Sequence, residues 1–261
     1  MPKRLTVISL LCAAALSFAA NVGPPVGKPF RVSDLRLGPN GAAILYYRSK
    51  AQLAELDQHR EAFQKLGVQV ATMGVARETG WIVLDAKSVV VAKYFEDDPS
   101  QCLTSAAVLV HRFGWTPPEP ERQVQGKQLT AALGASNVAV APGQRVVLTL
   151  DLNLEPNMHV YAPGVEGYIP IDWKMQDSKA VQLYDPVFPR AEKLYLKAID
   201  ETVPAYRNHF RLTRDITIQP ADGSGRFTVD GSLRYQACDD RLCYIPQTLP
   251  LQWTFEYQPL P

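Results

Sequence analysis

The chain has 261 residues, 46% of them hydrophobic, with 27 basic and 26 acidic side chains and a formal net charge of +1. That length can bury one large core or two ordinary ones. The near balance of charge, with no long run of one sign, excludes the electrostatic footprint of a nucleic-acid binder, so small-molecule or protein partners are expected.

At the N-terminus Lys3 and Arg4 precede the mostly apolar run Leu5 to Leu16, and Ser17-Phe18-Ala19 suits cleavage after Ala19. Residues 1–19 therefore read as a signal peptide, and the protein is expected outside the cytoplasm, in the periplasm or secreted. The apolar stretch is shorter than the roughly 20 residues a spanning helix needs. Loss of Cys12 with the signal leaves Cys102, Cys238 and Cys243, an odd count in which the close pair is the natural disulfide.

From Gly41 the pattern is strand, helix, strand, strand, strand, helix. Ala42 to Tyr47 is a short apolar strand, and Ser49 with Gln52 forms a capping box for a helix carrying Leu53, Leu56, Phe63 and Leu66 and stopped at Gly67. Val68 to Val75 is the next strand, Trp81 to Asp85 and Ser88 to Phe95 make a hairpin, and Asp98-Pro99 opens a last helix. This order predicts an α/β layer. Its segments ILYYRSKAQLAELDQHREAFQKLGVQV and WIVLDAKSVVVAKYF resemble the thioredoxin-fold core of the peroxiredoxin (redoxin) family, over residues 28–113. In that family the reactive cysteine sits where the first strand meets the first helix; here the junction is Arg48-Ser49-Lys50-Ala51, so the resemblance implies a redox-dead relative. Cys102 at helical spacing with Ala106, Leu109 and Phe113 reads as a core residue, and a peroxidase role would need it exposed and activated.

Thr116 to Arg122 is proline-rich and charged and cannot continue a helix, which sets a linker at residues 114–136. Beyond it the hydrophobic period becomes two: Val146, Leu148, Leu150, Leu152 and Leu154, then Phe210 to Ile218, then Leu249 to Tyr257. With shorter strands at Met158 to Tyr161, Ile169 to Met175, Ala180 to Tyr184 and Arg226 to Gln236, and turns at Pro142-Gly143 and Ala221-Asp222-Gly223, the second half predicts a β-sandwich. Pro250 requires an edge, or the start, of the last strand. The fold class is thus two-domain α+β: a thioredoxin-like α/β domain without active-site cysteines, then an immunoglobulin-like sandwich.

Chemistry is expected in LRYQACDDRLCYIPQ, where four residues separate Cys238 from Cys243 and Tyr235 and Tyr244 frame the pair. So small a ring is a weak staple for an unfolded chain. Asp239 and Asp240 should raise a thiol pKa by repulsion of the thiolate, with Arg241 partly offsetting them. A zinc site lacks its two remaining ligands, and no cofactor is expected.

MHVYAPG (Met158 to Gly164), VPAYRNHFRL (Val203 to Leu212) and above all YQACDDRLCYIP (Tyr235 to Pro246) resemble the N-terminal periplasmic domain of the thiol:disulfide interchange protein DsbD family, over residues 137–258. That family commonly places five residues between its cysteines. The resemblance implies an electron relay between proteins, with Cys243 the sulfur that exchanges with the partner and Cys238 resolving. It further implies a cap over the sulfurs in the region Ala191 to Tyr206, with Tyr195 as aromatic shield, and His159 and Tyr161 lining the site. Partners would be thioredoxin-like or other exported thiol proteins, with a separate membrane thiol reductase as electron source. The alternative is a non-catalytic binding or assembly module whose Cys238–Cys243 disulfide is structural, as most disulfides of exported domains are.

Overall fold

The computed structural model describes residues 22–75, 78–96, 102–117, 122–196, 200–221 and 224–258. The signal segment, Asp98-Pro99, and Asp222 and Gly223 of the predicted turn lie outside the described residues. The chain divides between Trp115 and Thr116 into two units.

In the first unit β1 (Ala42–Tyr47) pairs in parallel with β2 (Gln69–Gly74) and antiparallel with β3 (Thr79–Leu84), which pairs with β4 (Val90–Glu96). The order β2-β1-β3-β4, with the crossover helix α1 (Lys50–Lys65) between β1 and β2, is the thioredoxin-like arrangement. β1 is almost wholly buried because it lies inside the sheet. α1 starts where the capping box predicts. Ser49 Oγ accepts from the Gln52 amide at 3.3 Å, and Gln52 Oε1 accepts from the Ser49 amide at 3.2 Å. A capping serine therefore occupies the strand–helix junction. Phe63 of α1 stacks on Trp81 at 6.0 Å and meets Phe113 of α2 (Ser105–Phe113) edge-on at 6.1 Å.

The second helix departs from expectation. It begins at Ser105 behind the cap Thr104, with Cys102 ahead of it, and Glu55 of α1 accepts from the Ser105 amide at 2.8 Å. Thr104 accepts from the Ala107 amide at 3.1 Å, so Thr104 and Glu55 together satisfy the open amides of the first turn. Burial would raise the Glu55 carboxyl, but hydrogen bonds from His59 and Ser105 hold it below its ordinary value. Cys102 accordingly precedes the helix and is not on its face. It is buried beside Leu103, which removes the exposure that a peroxidase role needs.

The second unit starts earlier than composition suggests. Residues assigned above to a linker form β5 (Arg122–Gln125) and β6 (Leu129–Ala135), since LTAALGA alternates buried and half-buried side chains. They join β8 (Arg145–Leu154), β11 (Val181–Val187) and β14 (His209–Ile218) in a sheet of order β11-β14-β8-β6-β5. The facing sheet runs β10-β15-β17-β7, from β7 (Ala139–Val140), β10 (Asp172–Met175), β15 (Gly225–Tyr235) and β17 (Gln247–Tyr257). Between them, Leu148, Leu150 and Leu152 meet Val229, Leu251 and Phe255 in one core. Trp173 stacks on Trp253 at 5.6 Å, and Trp253 Nε1 donates to the Gly134 carbonyl at 2.9 Å, tying the sheets together. Pro250 is tolerated because β7 borders β17 only at Glu256 and Tyr257, so the side of β17 away from β15 is open at the proline.

A further sheet carries the cysteines. Its order is β12-β13-β9-β16, from β9 (His159–Tyr161), β12 (Glu192–Leu196), β13 (Glu201–Arg207) and β16 (Ala237–Cys238).

Candidate active site

Strand alternation gives this small sheet two apolar faces. Val160, Tyr206 and Ala237 point into the sandwich core, while Tyr161, Val203 and Cys238 cluster on the opposite face with Val165, Tyr168, Leu194 and Leu196. β16 thus ends with Cys238 in a second, smaller apolar cluster that covers its sulfur.

The disulfide joins Cys238 to Cys243. Asp239 builds the loop between them: its Oδ1 accepts from the amides of Arg241 at 2.7 Å and Leu242 at 2.9 Å, and its Oδ2 from the Tyr244 hydroxyl at 3.1 Å. This is an Asx-turn. Those two amides, with the tyrosine, hold the Asp239 carboxyl below its ordinary value. Backbone bonds from Asp239 to Leu242 (3.0 Å) and Tyr244 to Ala237 (2.9 Å), and from the Gln236 side chain to the Tyr244 carbonyl (2.9 Å), close the loop.

The two cysteines differ sharply in exposure. Cys238 is 1% exposed, whereas Cys243 is exposed between Leu242 at 52% and Ile245 at 82%. Tyr161 bridges the two environments: it is buried, its hydroxyl lies 3.8 Å from Cys243 Sγ, and its ring packs on Tyr168 at 4.3 Å. Burial, then the charge of Glu201, pushes the Tyr161 phenol above its ordinary value, so it stays protonated beside the sulfur. Tyr168 donates to Glu201 at 2.6 Å, which fastens the segment after β9 to β13.

His159 pairs directly with Cys238 across the β9–β16 ladder and meets Tyr161 edge-on at 5.3 Å. The other expected residues are placed differently. Tyr195 lies between Leu194 and Leu196, so its ring faces away from the sulfurs, and its hydroxyl donates to Asp200 at 2.7 Å. Within the region Ala191 to Tyr206 the described residues form the paired strands β12 and β13, which cover the cluster through Leu194, Leu196 and Val203. Tyr235 is core: it is fully buried, its hydroxyl donates to the Lys127 carbonyl at 2.7 Å, and burial pushes its pKa up to about 12. It pins the strand that leads into the cysteines. Tyr168, Val203 and the two leucines were not singled out from sequence, although the alternation of EKLYL places its leucines on one face and its tyrosine on the other. Among the described residues no group of three or more His, Cys, Asp or Glu is arranged to hold a metal ion.

Fold and site together define a β-sandwich with a short-loop disulfide between an exposed cysteine and a buried one. The family model of the thiol:disulfide interchange protein DsbD N-terminal domain matches residues 127–252. The C-terminal half is therefore similar to the DsbD N-terminal domain, and the start of the match at 127 agrees with β6 belonging to the sandwich. A search of curated proteins gave no match. Among solved structures, the N-terminal periplasmic domain of ScsB from Proteus mirabilis is 16% identical, covering 52% of this chain and 49% of that one, with a TM-score of 0.34. The reduced DsbD N-terminal domain of Neisseria meningitidis is 17% identical, covering 56% of this chain and 97% of that one, with a TM-score of 0.32. The chain spans about half the length of the ScsB domain.

Proposed function

We propose that this is an extracytoplasmic, periplasmic thiol–disulfide exchange protein that passes electrons between protein partners through Cys238 and Cys243. The observation that carries the reading is the asymmetry of access, an exposed Cys243 against a buried Cys238. A partner thiolate attacks Cys243 Sγ, the Cys238–Cys243 bond breaks, and Cys238 leaves as the thiolate. A second partner thiol then releases Cys243, so the pair gains two electrons and the partner is left with the disulfide. The reverse sequence reduces a partner disulfide. Thioredoxin-like or other exported thiol proteins are the partners that this chemistry suits. A separate membrane thiol reductase is the electron source that such a relay would draw on.

Leu242 and Ile245 suit docking around the exchanging sulfur, because burying such side chains contributes about 1.5–3 kcal/mol each. A Leu242→Ser/Ile245→Ser double variant is expected to exchange at least about tenfold more slowly with a thioredoxin-like protein, one factor of ten being about 1.4 kcal/mol, while its reaction with dithiothreitol is unchanged. Stopped-flow exchange with both reductants checks this. An equal loss with both, or no loss with the protein, contradicts a protein partner.

A further inference from the structure

The β9–β16 ladder sets His159 directly opposite Cys238, and paired residues of an antiparallel ladder carry their side chains on the same face. His159 is 2% exposed, and among the described residues its Nε2 is the buried side-chain nitrogen or oxygen that has no hydrogen-bond partner. Leaving such an atom unpaired is costly, so an orphan beside a disulfide calls for a use in another state of the site. The disulfide offers no proton and only a weak acceptor. The reduced pair does offer one, the Cys238 thiol, which has to ionise before it can resolve a mixed disulfide.

We propose that His159 is the general base for the buried cysteine, taking the Cys238 proton as that sulfur attacks Cys243 in a mixed disulfide. The proposal rests on the exchange reading above. In this step the Cys238 S–H bond breaks and an N–H bond forms on His159, while the Cys238–Cys243 bond forms and the Cys243–partner bond breaks. The partner sulfur leaves as a thiolate and then collects the proton from the imidazolium, directly or through water. Over attack by Cys243 and resolution by Cys238 together, the chain loses two electrons and the partner disulfide gains them. In the reverse direction His159 returns the proton to the Cys238 thiolate.

The surroundings keep the imidazole in the form a base requires. Arg207 of β13, itself paired to Glu192 of β12 at 3.5 Å, lies across from it, Tyr161 stands edge-on from its own strand, and Asp239 and Asp240 face it from the cysteine loop. Burial holds the imidazole below its ordinary value, helped by Arg207 and opposed by Asp240 and Asp239. It is neutral at neutral pH, and its free electron pair is available.

The test is stopped-flow reaction of the reduced, signal-free chain carrying Cys102→Ser with 5,5′-dithiobis(2-nitrobenzoate), in which attack by Cys243 and resolution by Cys238 each release one thionitrobenzoate. The His159→Phe and His159→Asn variants are expected to keep the first phase and slow the second about a hundredfold, the ordinary scale of general-base catalysis. The pH profile excludes a merely structural effect. In the wild-type chain the second phase should level off above an inflection below 6.5, the ordinary histidine value; in the variants it should climb until the thiol itself ionises, near about 8.5. The wild-type profile decides even if a variant fails to fold. A wild-type second phase that follows thiol ionisation alone, or variants with an unaltered second phase, would overturn the proposal and leave exchange intact. Absence of both phases would remove the exchange reading and this proposal with it.

Discussion

A reduced Cys238→Ser variant treated with oxidised glutathione is expected to carry one glutathione on Cys243 and keep it, whereas a reduced Cys243→Ser variant stays unmodified while folded. The reduced wild-type chain should pass through the same adduct and end as the intramolecular disulfide. The reason is access: Cys243 is exposed, and Cys238 is 1% exposed beneath Tyr161, Val203 and their apolar neighbours. Attack needs a sulfur that a partner can reach in line, and resolution needs one held beside it. Removing Cys238 therefore stops the second step, and removing Cys243 abolishes the first. Intact-mass measurement after acid quenching reads all three states. Equal labelling of Cys238 and Cys243 in the single variants would assign the roles wrongly, and labelling of Cys238 only after denaturant would support them.

The largest stability effect belongs to Trp253. It is fully buried, stacked on Trp173, and hydrogen-bonded to the Gly134 carbonyl of the opposite sheet. Trp253→Ala deletes the ring between the sheets, which costs about 3–5 kcal/mol. It also removes a hydrogen bond between the sheets, for about 0.5–1.5 kcal/mol more. Domains are stable by only about 5–15 kcal/mol, so the sandwich is expected to sit at the edge of unfolding. Hydrogen exchange of peptides from β15 and β17 in the full chain measures this for the sandwich alone. A loss below about 1 kcal/mol would mean that the two sheets do not depend on the tryptophan contact.

Much of the architecture was legible because two periods and a few capping residues specify it. The Ser49–Gln52 box, the all-apolar β1 and the alternating runs of β8 and β17 form the predicted elements. The proline-rich segment does separate two units, but its composition hid β5 and β6. RQVQ is a solvated edge strand with little apolar signal, and LTAALGA relies on small residues that suit helix and strand alike. The start of α2 was missed because its decisive partner, Glu55, is 50 residues away and tertiary contacts do not announce themselves locally. At the site, the close cysteine pair was visible from spacing. The division between a buried and an exposed sulfur was not, since it depends on β12 and β13 folding over β9. Tyr195 misled for a related reason: as the aromatic of the hairpin it looked like the cover, but the two leucines beside it face the sulfur and it does not. Asp239 carried a legible turn signal, yet a charge beside a thiol drew attention to electrostatics before geometry.

The central claim, that the pair exchanges and does not merely staple the sandwich, is tested most directly by the reduction potential of Cys238–Cys243. It should be measured in the folded, signal-free chain carrying Cys102→Ser, by alkylation and mass after equilibration in redox buffers. Structural disulfides lie below about −300 mV. A value well above that mark, reached rapidly while the sandwich stays folded, is the predicted result; a bond that resists reduction until the domain unfolds would contradict the exchange function and leave a binding module with a structural bridge.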